Sequence, residues 1–250
     1  MNFGASRLGF WFRQLNRSYK KKILFFYDPL TNGPGGNTNY YAGPDRNPAT
    51  DLYPPLAARA TALGFIPSLV TSFQTLNGLD LTEYAQLWDI GYATPYTTNP
   101  YNPTITLQQY LRSTGSLFIL GENSSFQPRD NEIGTFIEFM GGGTGITEGT
   151  IDFNYSRNLT LQNRFIYVGN GSLVFSRPGV FTSFGNGIPI TTGAFPLTGE
   201  LQYPGVFWGA GQLSVAPIGS LMSILDLNFI VGPYQNTALI DNIIQTLMNQ

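Results

Sequence analysis

Along the first 145 positions, short unbroken apolar runs alternate with stretches whose apolar residues recur every three or four places. Ile23-Leu24-Phe25-Phe26-Tyr27, Phe65 to Val70, Leu87-Trp88-Asp89-Ile90 and Leu117-Phe118-Ile119-Leu120 read as strands covered on both faces. Between them, helical spacing runs from Asp51 to Leu63, with Asp51 as N-cap and Pro54 and Pro55 in the first turn. A short helical piece is expected over 82–87. Another helix runs from a Thr106 cap through Ser113, with Leu107, Tyr110 and Leu111 on one face. A fourth spans Asn131 to Met140, carrying Ile133, Phe136 and Ile137 inward. Gly64, Gly115 and Gly141-Gly142-Gly143 fall where helices should stop. This alternation predicts a parallel sheet with helices on both faces.

The pattern changes near residue 146. Up to residue 220 the chain holds short β-like pieces divided by turn signals: Asn170-Gly171, Pro178-Gly179, Gly185-Asn186-Gly187 and Pro204-Gly205. A buried strand over Leu221 to Ile230, with Asp226 and Asn228 inside it, and an amphipathic helix over 238–248 then restore the earlier rhythm. The expected fold is α/β: a mostly parallel sheet flanked by helices, with a β-rich insertion before the last strand and helix. Three segments follow: an arm (1–22), an α/β domain (23–145 and 221–250) and a β-rich insertion or subdomain (146–220).

The arm has its own pattern. Leu8, Trp11, Phe12, Leu15 and Tyr19 recur at helical spacing, with Arg7, Arg13 and Arg17 off that face and Lys20, Lys21 and Lys22 following. These 22 residues carry six cations and no acid, and no Lys occurs afterwards. The apolar face is expected to pack on the domain or on a neighbouring subunit. The aromatic and basic character also fits a membrane surface. Nucleic-acid contact is not expected, since six cations without a fold signature specify no groove. The arm lacks the apolar core of a signal peptide, and no run of about 20 apolar residues predicts a membrane span.

Composition then removes chemistries. The chain has neither Cys nor His, which excludes thiolate nucleophiles, disulfides, imidazole bases and His-ligated metals. Charged residues are 11% of the chain, under half of the roughly 25% usual for soluble domains, so the surface is built from amides, hydroxyls and aromatics. Such a surface suits an extracellular or assembled protein. Asn32-Gly33-Pro34-Gly35-Gly36 has neither the Gly-Lys-Ser/Thr ending of a phosphate loop nor dinucleotide spacing.

What remains is a set of acids past the ends of neighbouring strands. Asp28, Asp89 and Glu122 could converge and hold a divalent cation through oxygen ligands; no other cofactor is expected. Alternatively each organises its own turn. A receiver-type phosphoacceptor also uses acids there, but the late-strand Lys it needs is missing. Arg129, seven residues past Glu122, is expected to pair with it and order the turn. Glu122, Asn123, Ser124 and Arg129 thus form the candidate elbow. Ser124 and Ser125 have no base to activate them.

The run Leu111-Arg112-Ser113-Thr114-Gly115-Ser116-Leu117-Phe118-Ile119-Leu120-Gly121 resembles the helix, Gly, strand and elbow segment of the class I glutamine amidotransferase-like superfamily. Gly121-Glu122-Asn123 with Phe126, Arg129-Asp130-Asn131-Glu132-Ile133, Gly141-Gly142-Gly143, and Leu225 to Ile230 with Asp241-Asn242 are similar to bacterial proteins of that fold. The resemblance spans about 20–145 and 220–250 and implies a flavodoxin-like scaffold. In amidotransferases the elbow carries a Cys served by a His. Here the matching position is Asn123 and the chain has no His, so the resemblance implies the scaffold without the chemistry.

The expected function is a non-enzymatic structural or interaction protein, assembling with its own copies or other subunits. An extracellular assembly such as a phage virion, as capsid decoration or tail component, is the expected setting. Two alternatives stand beside it. One is a carbohydrate-binding module using Tyr40, Tyr41, Tyr92, Tyr96 and Tyr101 to stack on glycan rings. The other is a metal-dependent hydrolase using Asp28, Asp89 and Glu122.

Overall fold

The computed structural model describes residues 20–29, 46–93, 95–113, 115–123, 126–150, 156–193, 195–197 and 200–249. Arg7, Trp11, Phe12, Arg13, Arg17, Tyr40, Tyr41, Ser124 and Ser125 lie outside them. The first half alternates strand and helix. β1 (Lys22–Phe26) leads to α1 (Tyr53–Ala62) and β2 (Ile66–Val70), then to α2 (Phe73–Asn77) and β3 (Tyr84–Asp89). α3 (Thr104–Arg112), β4 (Ser116–Leu120) and α4 (Gln127–Phe139) follow.

The second half is a series of short strands: β5 (Thr147–Thr150), β6 (Ser156–Thr160), β7 (Ser172–Ser176), β8 (Gly179–Ser183), β9 (Ile188–Pro189), β10 (Phe195–Leu197), β11 (Glu200–Gln202) and β12 (Gly205–Trp208). β13 (Ser220–Ile224) and α5 (Thr237–Met248) end the described chain. The main sheet runs β2-β1-β3-β4-β13-β12-β9. Its pairings from β2 to β13 are parallel, and those of β12 with β13 and β9 are antiparallel. The α/β class therefore holds with a mixed sheet. The segment 146–220 is not confined to its own layer, because β9 and β12 extend the main sheet while β5–β8, β6–β7 and β10–β11 pair as two-stranded ribbons.

Strand alternation divides the core into two layers. Ile23, Phe25, Trp88, Phe118, Met222 and Ile224 point to the side holding α1 and α5. Leu24, Phe26, Leu87, Leu117, Ile119 and Leu221 point to the side holding α2, α3 and α4. Both faces are dry, which is why β1, β3 and β4 read as unbroken apolar runs. The Trp88 and Phe118 rings, 4.5 Å apart between centroids, fill the middle of the first layer. Gln86 is a buried polar residue in the middle of β3. It accepts from Trp88 Nε1 at 2.9 Å and donates to the Ile244 carbonyl at 2.8 Å, tying α5 to the sheet. Ser116 does the same to Leu247 at 2.8 Å.

Several boundaries differ from the sequence reading. The cap before α1 is Asn47, whose Oδ1 accepts from Ala49 N at 2.9 Å, and Asp51 instead accepts from Asn47 N at 2.8 Å. α3 starts at Thr104, held by Asn102 Oδ1 at 2.9 Å, before the expected Thr106. The helical piece expected over 82–87 is a single turn at Leu81–Glu83, capped by Asp80, because residues 84–89 belong to β3. The strand expected over 221–230 stops at Ile224. Asp226 Oδ1 accepts from Asn228 N at 2.8 Å and turns the chain into a short 3₁₀ turn at Leu227–Phe229.

Candidate functional site

Asp28 and Glu122 stand just past β1 and β4, and Asp89 is the last residue of β3, all at the carboxyl edge where open α/β sheets place ligands. All three are buried, and each has different partners. Asp28 Oδ2 accepts from Phe73 N, the first amide of α2, at 2.7 Å. Asp89 Oδ1 accepts from Gly91 N at 2.9 Å, and its Oδ2 takes the Tyr96 hydroxyl and Arg129 Nη2, both at 2.6 Å. Glu122 Oε2 accepts from Leu227 N at 2.8 Å, and its Oε1 accepts from the Asn123 amide and side chain at 3.2 Å. Among the described residues no group of three acids is placed to hold a metal.

The expected Glu122–Arg129 pair is corrected: Arg129 pairs with Asp89, 40 positions away. α4 already begins at Gln127, ahead of the Asn131 read from sequence. Arg129 therefore lies in its first turn and reaches β3 instead of folding back over the loop. Its guanidinium is fully buried and stacks 4.5 Å from the centre of the Tyr96 ring. Among the described residues, Nε and Nη1 have no acceptor in hydrogen-bond geometry. Burial works against the charge, but Asp89, Tyr96 and Glu132 outweigh it and raise the pKa above its ordinary value.

The neighbours of Glu122 come from elsewhere. Asp130 Oδ1 accepts from Glu122 N at 3.2 Å. Asp226, past the end of β13, accepts from Ser176 N at 2.9 Å. The turn from Ser176 to Gly179, between β7 and β8, closes over these acids. Gly179 N donates to the Leu225 carbonyl at 2.7 Å, and Asn228 Nδ2 to the Ser176 carbonyl at 2.9 Å. A Cβ at Gly179 would collide with the Glu122 carbonyl, so only Gly lets the turn approach this closely. Arg177, at the tip, is the one non-Gly residue with positive φ among those described, at 56°, and it precedes Pro178. That geometry costs on the order of 1–3 kcal/mol and persists because the clasped residues on either side fix it.

Burial sets the electrostatics of the covered acids. It pushes Glu122 well above the usual carboxylate range, and the Asp226 charge beside it adds to this. Burial raises Asp130 likewise and lifts Asp226 to about 7. Glu148, packed against Gly134 of α4, rises to about 8 for the same reason, with Glu138 contributing.

Sequence reasoning passed over Asp130 and did not assign Asp226 to the site. An acid inside the apolar run 221–230 was the available signal for Asp226; Asp130 gave none. Asn123 is partly buried against Glu122. Tyr92 and Tyr96 are buried, correcting their reading as exposed sugar platforms; Tyr101 is 40% exposed. Lys22 is the first residue of β1 and pairs with Glu83 at 2.5 Å, so it belongs to the sheet and not to the arm. Lys21 is exposed and Lys20 partly so.

No protein-family model and no curated relative matches the chain. Among solved structures it is similar to the N-terminal domain of IFT52, at 14% identity and a TM-score of 0.57, over 90% of this chain and 94% of that one. It is also similar to a ThuA-like protein from Bacteroides uniformis (12% identity, TM-score 0.48, 91% of each chain). A cold-adapted β-galactosidase from Rahnella sp. R3 matches at 8% identity and a TM-score of 0.48, over 90% of this chain but 30% of that one. The first likeness extends to the fold alone: an α/β domain with helices on both faces of one sheet.

Proposed function

We propose that the chain is a non-enzymatic interaction protein on an amidotransferase-like α/β scaffold, working as a subunit of a larger assembly. One observation carries this reading. The elbow, where such a scaffold would present its nucleophile, is closed by the Ser176–Gly179 turn, and Glu122 beneath it is 3% exposed and bonded to Leu227 and Asn123. Asn123 stands at the nucleophile position, and the chain has no Cys or His to replace the missing chemistry. A substrate would have to displace the clasped turn to reach Glu122, Asp130 or Asp226. The low charge of the chain suits extended contact with other subunits, and an extracellular assembly such as a virion is the setting this composition fits.

Light scattering on the full-length protein across ~1–100 µM tests the assembly reading. The expected result is a mass above one 27.5 kDa chain that grows with concentration. A constant single-chain mass, together with no stable partner co-purifying from the source, would overturn it.

A further inference from the structure

A cleft of about 290 Å³ opens between α3 and the connection from α2 to β3. Its volume lies near the lower end of small-molecule sites. On one side stand Thr106, Gln109, Tyr110 and Ser113, spaced to share one face of α3 and its C-cap. On the other stand Asn77, Asp80 and Thr82. Leu79, Leu81 and Tyr110 make up its apolar part.

The polar groups hold one another in place. Asn77 Nδ2 donates to the Tyr101 carbonyl at 2.9 Å, and its Oδ1 accepts from the Thr106 hydroxyl at 2.6 Å, which joins the two walls. Asp80 Oδ1 accepts from the Thr82 amide at 2.9 Å and from its hydroxyl at 2.6 Å. Ser113 Oγ donates to the Tyr110 carbonyl at 2.9 Å. A hydroxyl has one proton and two lone pairs, so Thr82, Thr106 and Ser113 have each spent their donor inside the protein. What they retain toward a ligand are acceptors. Asp80 Oδ2 is a further acceptor, and the exposed Gln109 amide both donates and accepts.

This inventory selects the ligand. Among the described residues no Lys or Arg lines the cleft, which disfavours phosphate, sulfate and carboxylate groups. The bonds from Thr82, with the charge of Lys20 adding to them, hold Asp80 below its ordinary pKa, so its negative charge is already opposed. Fixed acceptors beside an apolar strip suit a neutral molecule that carries many hydroxyl donors and a C–H surface. Tyr101, 40% exposed and bonded through its carbonyl to Asn77, adds an aromatic residue at the rim.

We propose that this cleft binds a neutral saccharide, whose hydroxyls donate to Asp80, Thr82, Thr106 and Ser113 and exchange hydrogen bonds with Gln109. The binding stands apart from the assembly reading, because a single chain contains the whole cleft.

NMR titration of the full-length protein with maltotriose, cellotriose, chitotriose and galactobiose tests it, with butylammonium chloride and sodium phosphate as comparison ligands. At least one saccharide is expected to shift the Asn77 and Gln109 side-chain amide signals and to saturate with a Kd of about 1 mM or tighter. Asp80→Asn turns an acceptor into a donor while keeping an oxygen for Thr82, and Gln109→Ala removes the exposed amide. Both positions are exposed, so melting should not change. Each variant should bind that saccharide at least ~10-fold more weakly. No saturating shift from any of the four saccharides up to ~50 mM overturns the proposal. So does a saccharide that binds both variants as tightly as the native chain, or saturation by butylammonium or phosphate alone.

Discussion

Replacing Arg129 with methionine is expected to lower the melting temperature by about 10–15 °C, from a loss of roughly 3–5 kcal/mol. Methionine matches the length and apolar packing of the side chain, so little of this comes from a cavity. The cost lies in Asp89, which is 1% exposed and would keep only the Tyr96 hydroxyl and the Gly91 amide against its charge. A buried carboxylate stripped of its cation is among the most destabilising single changes known. The effect should be strongly non-additive. Asp89→Asn in the Arg129→Met background keeps a polar group toward Tyr96 and removes the stranded charge, so the double variant should recover much of the loss. Thermal denaturation of both single variants and the double variant gives the coupling directly. If Arg129→Met melts within 2–3 °C of the native chain, the ion pair is not what holds β3 to α4.

Stability should fall as pH rises from about 5 to about 9, the reverse of ordinary acid denaturation over that range. Asp226 and Glu148 have folded-state pKa values near 7 and 8, above the range they would have unfolded, and Glu122 and Asp130 are displaced in the same direction. A carboxyl that binds its proton more tightly when folded stabilises the fold fully below the unfolded pKa. That contribution is lost as pH climbs through the folded pKa. At ~1.4 kcal/mol per tenfold, Asp226 and Glu148 could each contribute up to roughly 4 kcal/mol, less where coupling to neighbours shares the effect. The melting temperature is expected to drop by about 10 °C or more between pH 5.5 and pH 9. Asp226→Asn should flatten part of that slope, while its single amide oxygen can replace only one of the two carboxylate oxygens that accept from Ser176 and Asn228. A flat profile, or one rising with pH, would mean that these acids are ionised in the fold.

The strand positions could be read from the sequence because β1, β3 and β4 are covered on both faces, which makes burial a local property of each run. The same holds for α5, whose Leu239, Ile240, Ile243, Ile244 and Leu247 form one buried stripe. α2 was missed because it has five residues and is set by a distant acid, Asp28, at its first amide. The joining of β9 and β12 to the main sheet was not legible either, since turn signals mark where a strand ends and not which strand it pairs with. At the site the limit was distance along the chain. The acids at the carboxyl ends of β1, β3 and β4 could be located from strand ends. The partner of Arg129 lies 40 positions away and the clasp of Ser176 by Asp226 spans 50, and neither pairing leaves a local trace. Asp226 showed itself only as an acid out of place in an apolar run.

Native-state hydrogen exchange at the Ser176, Gly179 and Leu227 amides tests the closed elbow most directly. These amides donate to Asp226, the Leu225 carbonyl and Glu122. They are expected to exchange as slowly as the amides of β4, only through global unfolding. Exchange at loop-like rates, with β4 still protected, would mean that the turn opens freely over the acids, and the elbow would then be an accessible site.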